Sequence, residues 1–264
     1  SAVVHFAAFK AVGESVEIPL MYYRNNLLSL INILQGMTDN NIRDIVFSSS
    51  CTVYGQPAEL PASEDTPIQK AVSPYGNTKQ VSEEIICDAS ISNGIHAILL
   101  RYFNPVGAHE SALIGELPIG VPGNLMPYIT QTAIGKHPFL RVWGGDYETP
   151  DGTAIRDYLH VVDLAKAHVT AVERLTGDHG KKAVEVFNLG TGNGYSVLEV
   201  IRSFERTSGL KLDYRIMERR QGDIVQVWAD TGLANRELGW KAEKNLDEMT
   251  LSAWKWELAL AKKK

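Results

Sequence analysis

Short apolar segments alternate with amphipathic segments along this 264-residue chain, and this alternation is the feature that most restricts its fold. Apolar residues recur at helical spacing in 22–37 and 73–90. Between and around these helices lie four runs rich in β-branched and aromatic residues, typical of strands buried on both faces: 2–8, 44–50, 96–104 and 183–190. The alternation predicts an α/β fold with a doubly wound parallel sheet.

The second half of the chain is less regular. Gly- and Pro-rich segments between 105 and 153 predict loops that project from the sheet. The segment 157–175 is amphipathic, and a strand is predicted near 211–216. Further helices are predicted at 196–207, 230–238 and 246–261. The glycine cluster at 190–196 lacks the G-x-G-x-x-G spacing and a suitably placed acid, so it favours a structural turn over a dinucleotide fingerprint.

Composition and charge exclude several classes of protein. A net charge of -5 argues against a broad nucleic-acid interface, and the basic run Lys262 to Lys264 is interpreted as a solvated end. No apolar run is long enough to cross a bilayer, and no metal site is predicted. The two cysteines, Cys51 and Cys87, fit a reducing compartment, so a cytoplasmic protein is expected.

Tyr75 and Lys79 stand four residues apart in the segment SPYGNTKQ (73–80). If Ser73 caps a helix and Pro74 lies in its first turn, the two side chains share one face of it. A cation there would lower the pKa of the phenol toward that of a general base. An amphipathic helix whose Tyr and Lys only border the core is the alternative interpretation.

A strand that ends in three serines brings hydroxyl groups to the carboxyl edge of the predicted sheet. This run, DIVFSSSCTVYG, ends in a Tyr-Gly turn, and such edges are where parallel sheets bind ligands. Ser50 could therefore donate a hydrogen bond to the oxygen that Tyr75 deprotonates. Simple turn chemistry at the strand end is the alternative.

Six motifs together resemble the UDP-glucose (UDP-galactose) 4-epimerase family of the extended short-chain dehydrogenase/reductase superfamily. They are FSSSCTVYG, SPYGNTK, LRYFNPVGAH, NLMPYI, DGTAIRDYLHVVDLA and RRQGD, and the similarity extends over essentially the whole chain. The resemblance implies a Rossmann domain for NAD, formed by 1–103 and 155–190. It also implies a UDP-sugar domain formed by 104–154 and 191–264, and a homodimer that pairs through helices 22–37 and 73–90.

The resemblance also implies the chemistry. Tyr75 would remove the proton of the sugar 4-hydroxyl while hydride passes transiently from C4 to tightly bound NAD, giving a 4-keto sugar. Ser50 would steady the 4-oxygen, and Lys79 would bind the nicotinamide ribose. Rotation of the keto sugar and return of the hydride to its other face would invert C4, as galactose metabolism requires.

Further site residues are carried over from the family's motifs. For NAD they are Lys10, Asn25, Ser48, Ser50, Tyr75, Lys79 and Phe103. For the UDP-sugar they are Ser50, Tyr75, Asn104, Asn124, Leu125, Trp143, Arg156, Arg220, Asp223 and Val227. Trp143 would pack on uracil, and arginine suits the diphosphate because its planar fork makes paired hydrogen bonds.

Three features depart from the family pattern. Val227 falls where tyrosine would exclude N-acetylated sugars, so acceptance of UDP-N-acetylglucosamine is a hypothesis. Cys51 stands where alanine is common and is interpreted as a packing residue. The Gly-rich turn that binds pyrophosphate would lie before Val3, on the order of 60–70 residues of βα units upstream. We therefore expect this sequence by itself to bind NAD poorly.

Two other functions stay open at the level of sequence. A nucleotide-sugar 4,6-dehydratase shares Ser, Tyr and Lys but typically carries an acidic pair where this chain has Cys51 and Thr52. An inactive fragment, without the pyrophosphate turn, is the other possibility.

Overall fold

The computed structural model describes residues 1–177, 182–220 and 222–262. Lys263 and Lys264 of the predicted solvated end, and Gln221 of the RRQGD motif, lie outside the described residues. The helices are α1 (Val12–Glu17), α2 (Pro19–Asp39), α3 (Pro74–Asn93), α4 (Leu125–Ala133), α5 (Val161–Thr176), α6 (Val197–Ser208) and α7 (Leu246–Lys262). The strands are β1 (Ala2–His5), β2 (Asp44–Ser50), β3 (His96–Tyr102), β4 (Asn104–Val106), β5 (Leu140–Trp143), β6 (Ile155–Arg156), β7 (Tyr158–His160), β8 (Val184–Leu189), β9 (Tyr195–Ser196), β10 (Tyr214–Met217) and β11 (Gln226–Val227).

The chain forms two compact units. The first unit comprises 1–103, 165–189 and 229–241, and the second comprises 104–164, 190–228 and 242–264. They differ from the predicted domains at residues 155–164, 190 and 229–241. Residues 155–164 belong to the second unit because β6 pairs there with β9 and β11. Residues 229–241 belong to the first unit, where the Asp230 amide donates to the Ala62 carbonyl at 2.7 Å.

A four-stranded parallel sheet in the order β1-β2-β3-β8 organises the first unit. The register sets Ile45 opposite Ala97 and Leu100 opposite Phe187. Apolar side chains of β2 and β3 are almost fully buried, as expected when both faces of a parallel sheet are covered. The predicted α/β fold with a parallel sheet is confirmed, although β1 ends at His5 and not at Ala8.

Local signals explain where α3 begins and ends. The Ser73 side chain accepts a hydrogen bond from the Gly76 amide at 3.1 Å, and Pro74 lies in the first turn. Gly94 ends the helix in the left-handed conformation, with φ 64°. The predicted cap is confirmed, and it fixes the start of the helix that carries Tyr75 and Lys79.

The described part of the second unit contains three small sheets and a core built around α4, α6 and α7. β5 pairs with β10, β6 lies between β9 and β11, and β4 pairs with β7. Ile129, Phe204 and Met249 are fully buried in the core. A capping box between Ser196 and Glu199 starts α6.

The prediction of loops throughout 105–153 is wrong, because the structure contains α4 and β5 there. Pro127 obscures the helical pattern of α4, yet it is tolerated in a first turn, where backbone amides have no intrahelical acceptor. The helix predicted at 230–238 is only a π-helical turn, Ala234–Leu238. Among the described helices, none has the length and apolarity needed to cross a membrane.

Candidate active site

The end of β2 turns sharply and presents Ser50 beside α3. Ser50 caps the 3-10 helix Cys51–Tyr54, and its Oγ accepts from the Thr52 amide at 3.2 Å and from Thr52 Oγ1 at 3.0 Å. The Ser50 hydroxyl also acts to lower the pKa of Tyr75, although the two residues are 25 apart in sequence, so it lies close to the phenol.

Tyr75 lies in the first turn of α3, where its amide donates to Ser15 Oγ at 3.2 Å. Burial raises the pKa of Tyr75 to about 12, and the nearby Ser50 only partly opposes this effect. The pKa of Tyr75 is therefore raised, where the sequence predicted a lowered one. The Lys79 ammonium lies 6.0 Å from the centre of the Tyr75 ring.

Lys79 lies one turn further along α3 and is 4% exposed. Its Nζ donates to the Ser48 carbonyl at 2.6 Å and lies 4.8 Å from the centre of the Phe47 ring. Burial lowers the pKa of Lys79 to about 8, and the carboxylate of Glu83 acts in the opposite direction. Ser48, Ser50, Tyr75 and Lys79 form one group, which we call the first-unit cluster.

Two charged residues that the sequence reasoning missed support this cluster. Glu83 accepts a hydrogen bond from Ser49 Oγ. Arg101 binds both oxygens of Glu83 through Nε at 3.0 Å and Nη2 at 2.6 Å. Both charged side chains are less than 9% exposed. Glu83 follows Lys79 by one helical turn, so its position in the sequence could have indicated it. Arg101 lies on β3, and no such spacing connects it with Glu83.

The other residues carried over for NAD occupy different environments in the first unit. Lys10 is exposed, whereas Phe103 is 4% exposed and its amide donates to the Leu189 carbonyl at 3.0 Å. Asn25 donates to Oδ1 of its neighbour Asn26 at 3.1 Å. Asn26 is the buried member of the pair, since it bonds both backbone groups of Phe9 and donates to Thr78 Oγ1 at 3.1 Å.

Arginine, aspartate and tryptophan side chains meet in the second unit. Arg220 pairs with Asp223, with Nε and Oδ2 3.0 Å apart, and its guanidinium lies 5.9 Å from the centre of the Trp143 ring. Arg156 donates to the carbonyls of Ile155 and Ile224, at 2.8 and 2.7 Å. We call Trp143, Arg156, Arg220 and Asp223 the second-unit cluster.

The remaining predicted substrate residues also lie in the second unit. Val227 is 1% exposed and pairs with Arg156 across β6 and β11. Asn124 precedes α4 and donates to Glu116 Oε1 at 2.7 Å, while Leu125 packs against the core. The Asn104 amide donates to the Asp157 carbonyl at 2.8 Å.

Tyr158 was not predicted, although it lies near the same charges. It is 3% exposed, and burial raises its pKa to about 12 against the opposing influence of Arg156 and Arg220. In the sequence it stands in the apolar run YLHVV, where a tyrosine is easily interpreted as core.

The glycine loop at 190–196 binds an internal carboxylate. The amides of Thr191 and Gly192 donate to the two oxygens of Asp157, at 2.8 and 3.0 Å, and Thr191 Oγ1 donates at 2.7 Å. Asp157 is fully buried. These amides therefore already hold an anion, in agreement with a structural turn. Within the described residues, no group of three or more His, Cys, Asp or Glu side chains is placed to hold a metal ion.

Comparisons with known proteins found a matching family model and relatives that are about half identical to this chain. The family model described as GDP-mannose 4,6 dehydratase matches residues 1–252. A UDP-glucose 4-epimerase of Bacillus subtilis (strain 168) is 51% identical over 257 residues, which cover 97% of this chain and 75% of that protein.

Solved structures lead to the same relatives. The UDP-glucose 4-epimerase from Bifidobacterium longum, in complex with NAD+ and UDP, is 50% identical with a TM-score of 0.93, covering 98% of this chain and 76% of that one. The UDP-glucose-4-epimerase from Stenotrophomonas maltophila, with bound NAD and formylated UDP-arabinopyranose, is 49% identical with a TM-score of 0.95, covering 100% and 77%.

Proposed function

Because the chain belongs to the UDP-glucose 4-epimerase family, within the extended short-chain dehydrogenases/reductases, we propose that it interconverts UDP-galactose and UDP-glucose at C4 of the sugar. One observation carries this proposal: Ser50, at the carboxyl end of a parallel strand, lies close to the Tyr75 phenol, and Lys79 follows Tyr75 one turn later on α3. When bound, NAD supplies a reversible acceptor for the hydrogen at C4, so the reaction has no net redox change.

The first-unit cluster suits this cofactor. The Lys79 ammonium has three N–H donors, of which the Ser48 carbonyl accepts one, and this fits a role in binding ribose hydroxyls. Lys10, Asn25, Ser48 and Phe103 are proposed as further cofactor contacts, with Asn26 bonded to Asn25 and holding the backbone at Phe9.

Tyr75 and Ser50 handle the proton of the sugar 4-hydroxyl. Tyr75 accepts this proton as its anion and returns it when the hydroxyl is reformed. Ser50 hydrogen-bonds the 4-oxygen from a position close to the Tyr75 phenol. Since burial favours neutral Tyr75, the charge of Lys79 is needed to make the anion accessible.

The second-unit cluster is proposed to hold the nucleotide. Arg156 and Arg220 bind the diphosphate, Asp223 accepts from the ribose, and Trp143 packs on uracil. The ion pair between Arg220 and Asp223 supports this assignment, because it fixes the guanidinium before any ligand arrives. Asn104, Asn124 and Leu125 are proposed to complete the substrate contacts.

The sugar pocket is proposed to admit N-acetylated sugars because Val227 is small. Val227→Tyr should lower the ratio of activity on UDP-N-acetylglucosamine to activity on UDP-glucose, since the larger ring fills the space of the acetyl group. Equal ratios in the two proteins would remove this proposal.

A homodimer and a cytoplasmic location are also proposed. Apolar side chains on α2 and α3 support pairing of these helices between subunits, since Leu20 is 82% exposed and Ile91 is 87% exposed. The free thiols Cys51 and Cys87 support a reducing compartment.

The proposed reaction is tested by incubating the protein with UDP-galactose and with NAD in large excess, because this sequence by itself is expected to bind NAD poorly. We expect UDP-glucose to form, with no lasting absorbance of reduced cofactor. A 4-keto-6-deoxy product would instead indicate a dehydratase, although Cys51 and Thr52 offer that chemistry no carboxylate. No conversion with NAD present would contradict both reactions and favour the inactive fragment.

A further inference from the structure

Tyr147 occupies a fixed position in the loop after β5, within the second unit. Its side chain is 4% exposed. The ring lies so close to Gly144 that a Cβ there would come within 2.2 Å of Tyr147 Cε2, and Gly144 has φ +77°. The guanidinium of Arg219 covers the ring at 4.2 Å from its centre, and Asp146 holds Arg219 at 2.8 Å. The phenol therefore has little freedom to move.

The hydroxyl of Tyr147 is buried, and it has no hydrogen-bond partner among the described residues. Buried polar groups in native proteins are almost always paired, and an unpaired one lowers stability. Phenylalanine would fill the same space without that cost. An unpaired donor of this kind is expected where a ligand supplies the acceptor.

The charges around this hydroxyl indicate the chemistry of that acceptor. Arg156, Arg219 and Arg220 act on it together with Asp223. Arg219 is offset by its partner Asp146 and by the nearby Glu148, which leaves Arg156 and Arg220, with Asp223, as the charges beside the hydroxyl. Burial raises the pKa of Tyr147, which keeps the phenol protonated and able to donate. An anionic oxygen fits this environment best.

We propose that the Tyr147 hydroxyl donates a hydrogen bond to a phosphate oxygen of the UDP group, beside the arginines of the second-unit cluster. The identity of the ligand rests on the proposed function. Tyr147 is then a binding residue that neither the motifs nor the spacing of the sequence indicates. It also gives the segment 144–147 a role in placing a donor against the diphosphate.

Tyr147→Phe tests the proposal because it removes only the hydroxyl. Titration calorimetry with UDP is expected to show binding weaker by about tenfold or more, as for the loss of a hydrogen bond to a charged group. Uridine, which has no phosphate, is expected to bind both proteins equally. Tyr128→Phe is the matched control, because Tyr128 lies in the same unit and packs against His137. This variant should bind UDP like the wild type.

A second measurement uses the melting temperature without UDP. Since the hydroxyl has no partner in the protein, its removal should leave the melting temperature unchanged or raise it. A lower value would reveal a structural hydrogen bond and overturn the proposal. Equal UDP affinity of Tyr147→Phe and wild type, or an equal loss for uridine, would also overturn it. Failure of the wild type to bind UDP would instead contradict the proposed function itself.

Discussion

Burial favours the neutral forms of both titratable groups in the first-unit cluster. It raises the pKa of Tyr75 to about 12 and lowers the pKa of Lys79 to about 8. At neutral pH the tyrosine is therefore protonated, while most of the lysine carries its charge. The ionised forms of Tyr75 and Lys79 have opposite charges and would stabilise each other. Burial makes each of these charges costly to form. Tyr75 is consequently a base only when its surroundings favour the anion.

Tyr75→Phe should lower kcat by about 10²–10⁴-fold, the usual contribution of a general base. The Michaelis constant for UDP-galactose should change little, because the ring remains. The measurement is a steady-state epimerase assay with NAD present. Tyr23→Phe is the control. The Tyr23 hydroxyl accepts a hydrogen bond from Asn77, which lies on the same helix as Tyr75, and Tyr23 is not part of the first-unit cluster. Comparable activity of Tyr75→Phe and wild type would exclude Tyr75 as the base.

Lys79 makes a contribution to stability that depends on pH. Its folded pKa of about 8 lies below the ordinary 10.5, so between these values the unfolded chain binds more protons. Stability from this group therefore rises with pH across that window. Relative to Lys79→Met, the free energy of unfolding of the wild type should increase by about 3 kcal/mol across it. Urea titrations at both ends measure this, with exposed Lys70→Met as control. A constant difference would refute the shifted pKa.

Sequence spacing predicted the residues that share one helix face, but it could not find their long-range partners. Tyr75 and Lys79 were recognisable because a helix places residues four apart together. Glu83, by contrast, depends on Arg101 in β3, and Tyr147 depends on arginines more than 70 residues later. The sign of the Tyr75 pKa shift was missed for the same reason, since burial is set by the packing of several elements.

At the scale of elements, a buried ion pair ties α3 to the sheet. Glu83 of α3 binds Ser49 of β2 and Arg101 of β3, so one carboxylate joins three elements. Arg101 Nη1 extends the network to Tyr54 at 3.0 Å, and Tyr54 donates to Asn188 of β8 at 2.6 Å. This network keeps the ends of the strands in register beneath the first-unit cluster.

Arg101→Met should lower the free energy of unfolding by about 3–5 kcal/mol, because it leaves the Glu83 carboxylate buried without its counter-ion. The double variant Arg101→Met/Glu83→Gln should recover part of this loss. Chemical denaturation of the variants measures both effects. Arg24→Met, at an exposed position of α2, should stay within about 0.5 kcal/mol of wild type. Loss of the same size in the single and double variants would show that charge is not the cause.

At the scale of the molecule, periodicity was sufficient for the parallel sheet but not for the unit boundaries. Strands of a buried sheet carry their own pattern of apolar residues. The return of 229–241 to the first unit depends instead on tertiary contacts that give no local signal, such as the pairing of Ala62 with Ala229 and the hydrogen bond from Arg174 to the Glu237 carbonyl. The helix α4 was also not predicted, because proline, which stands at position 127, is typical of loops.

The proposed homodimer predicts a change of mass when charge is placed on the helix faces. Ile91→Arg should convert a dimer to a monomer, since an unpaired charge at an apolar interface is costly. Sedimentation velocity at micromolar concentration measures the mass. Leu113→Arg is the control, because Leu113 is 68% exposed but lies in the second unit. A wild-type protein that sediments as a monomer would contradict the proposal directly.

The carboxylate of Asp157 has a consequence for how this family varies. The amides of Thr191 and Gly192 need a negative group at that position, and the carboxylate needs those donors in return. Replacing Asp157 alone would leave these donors without their carboxylate acceptor, and a side chain that strains the loop at Gly192, where φ is 77°, would move donors away from the buried carboxylate. Across related sequences, residue 157 and the loop from 190 to 194 should therefore covary. A homologue without an acid at 157 should also have a different loop.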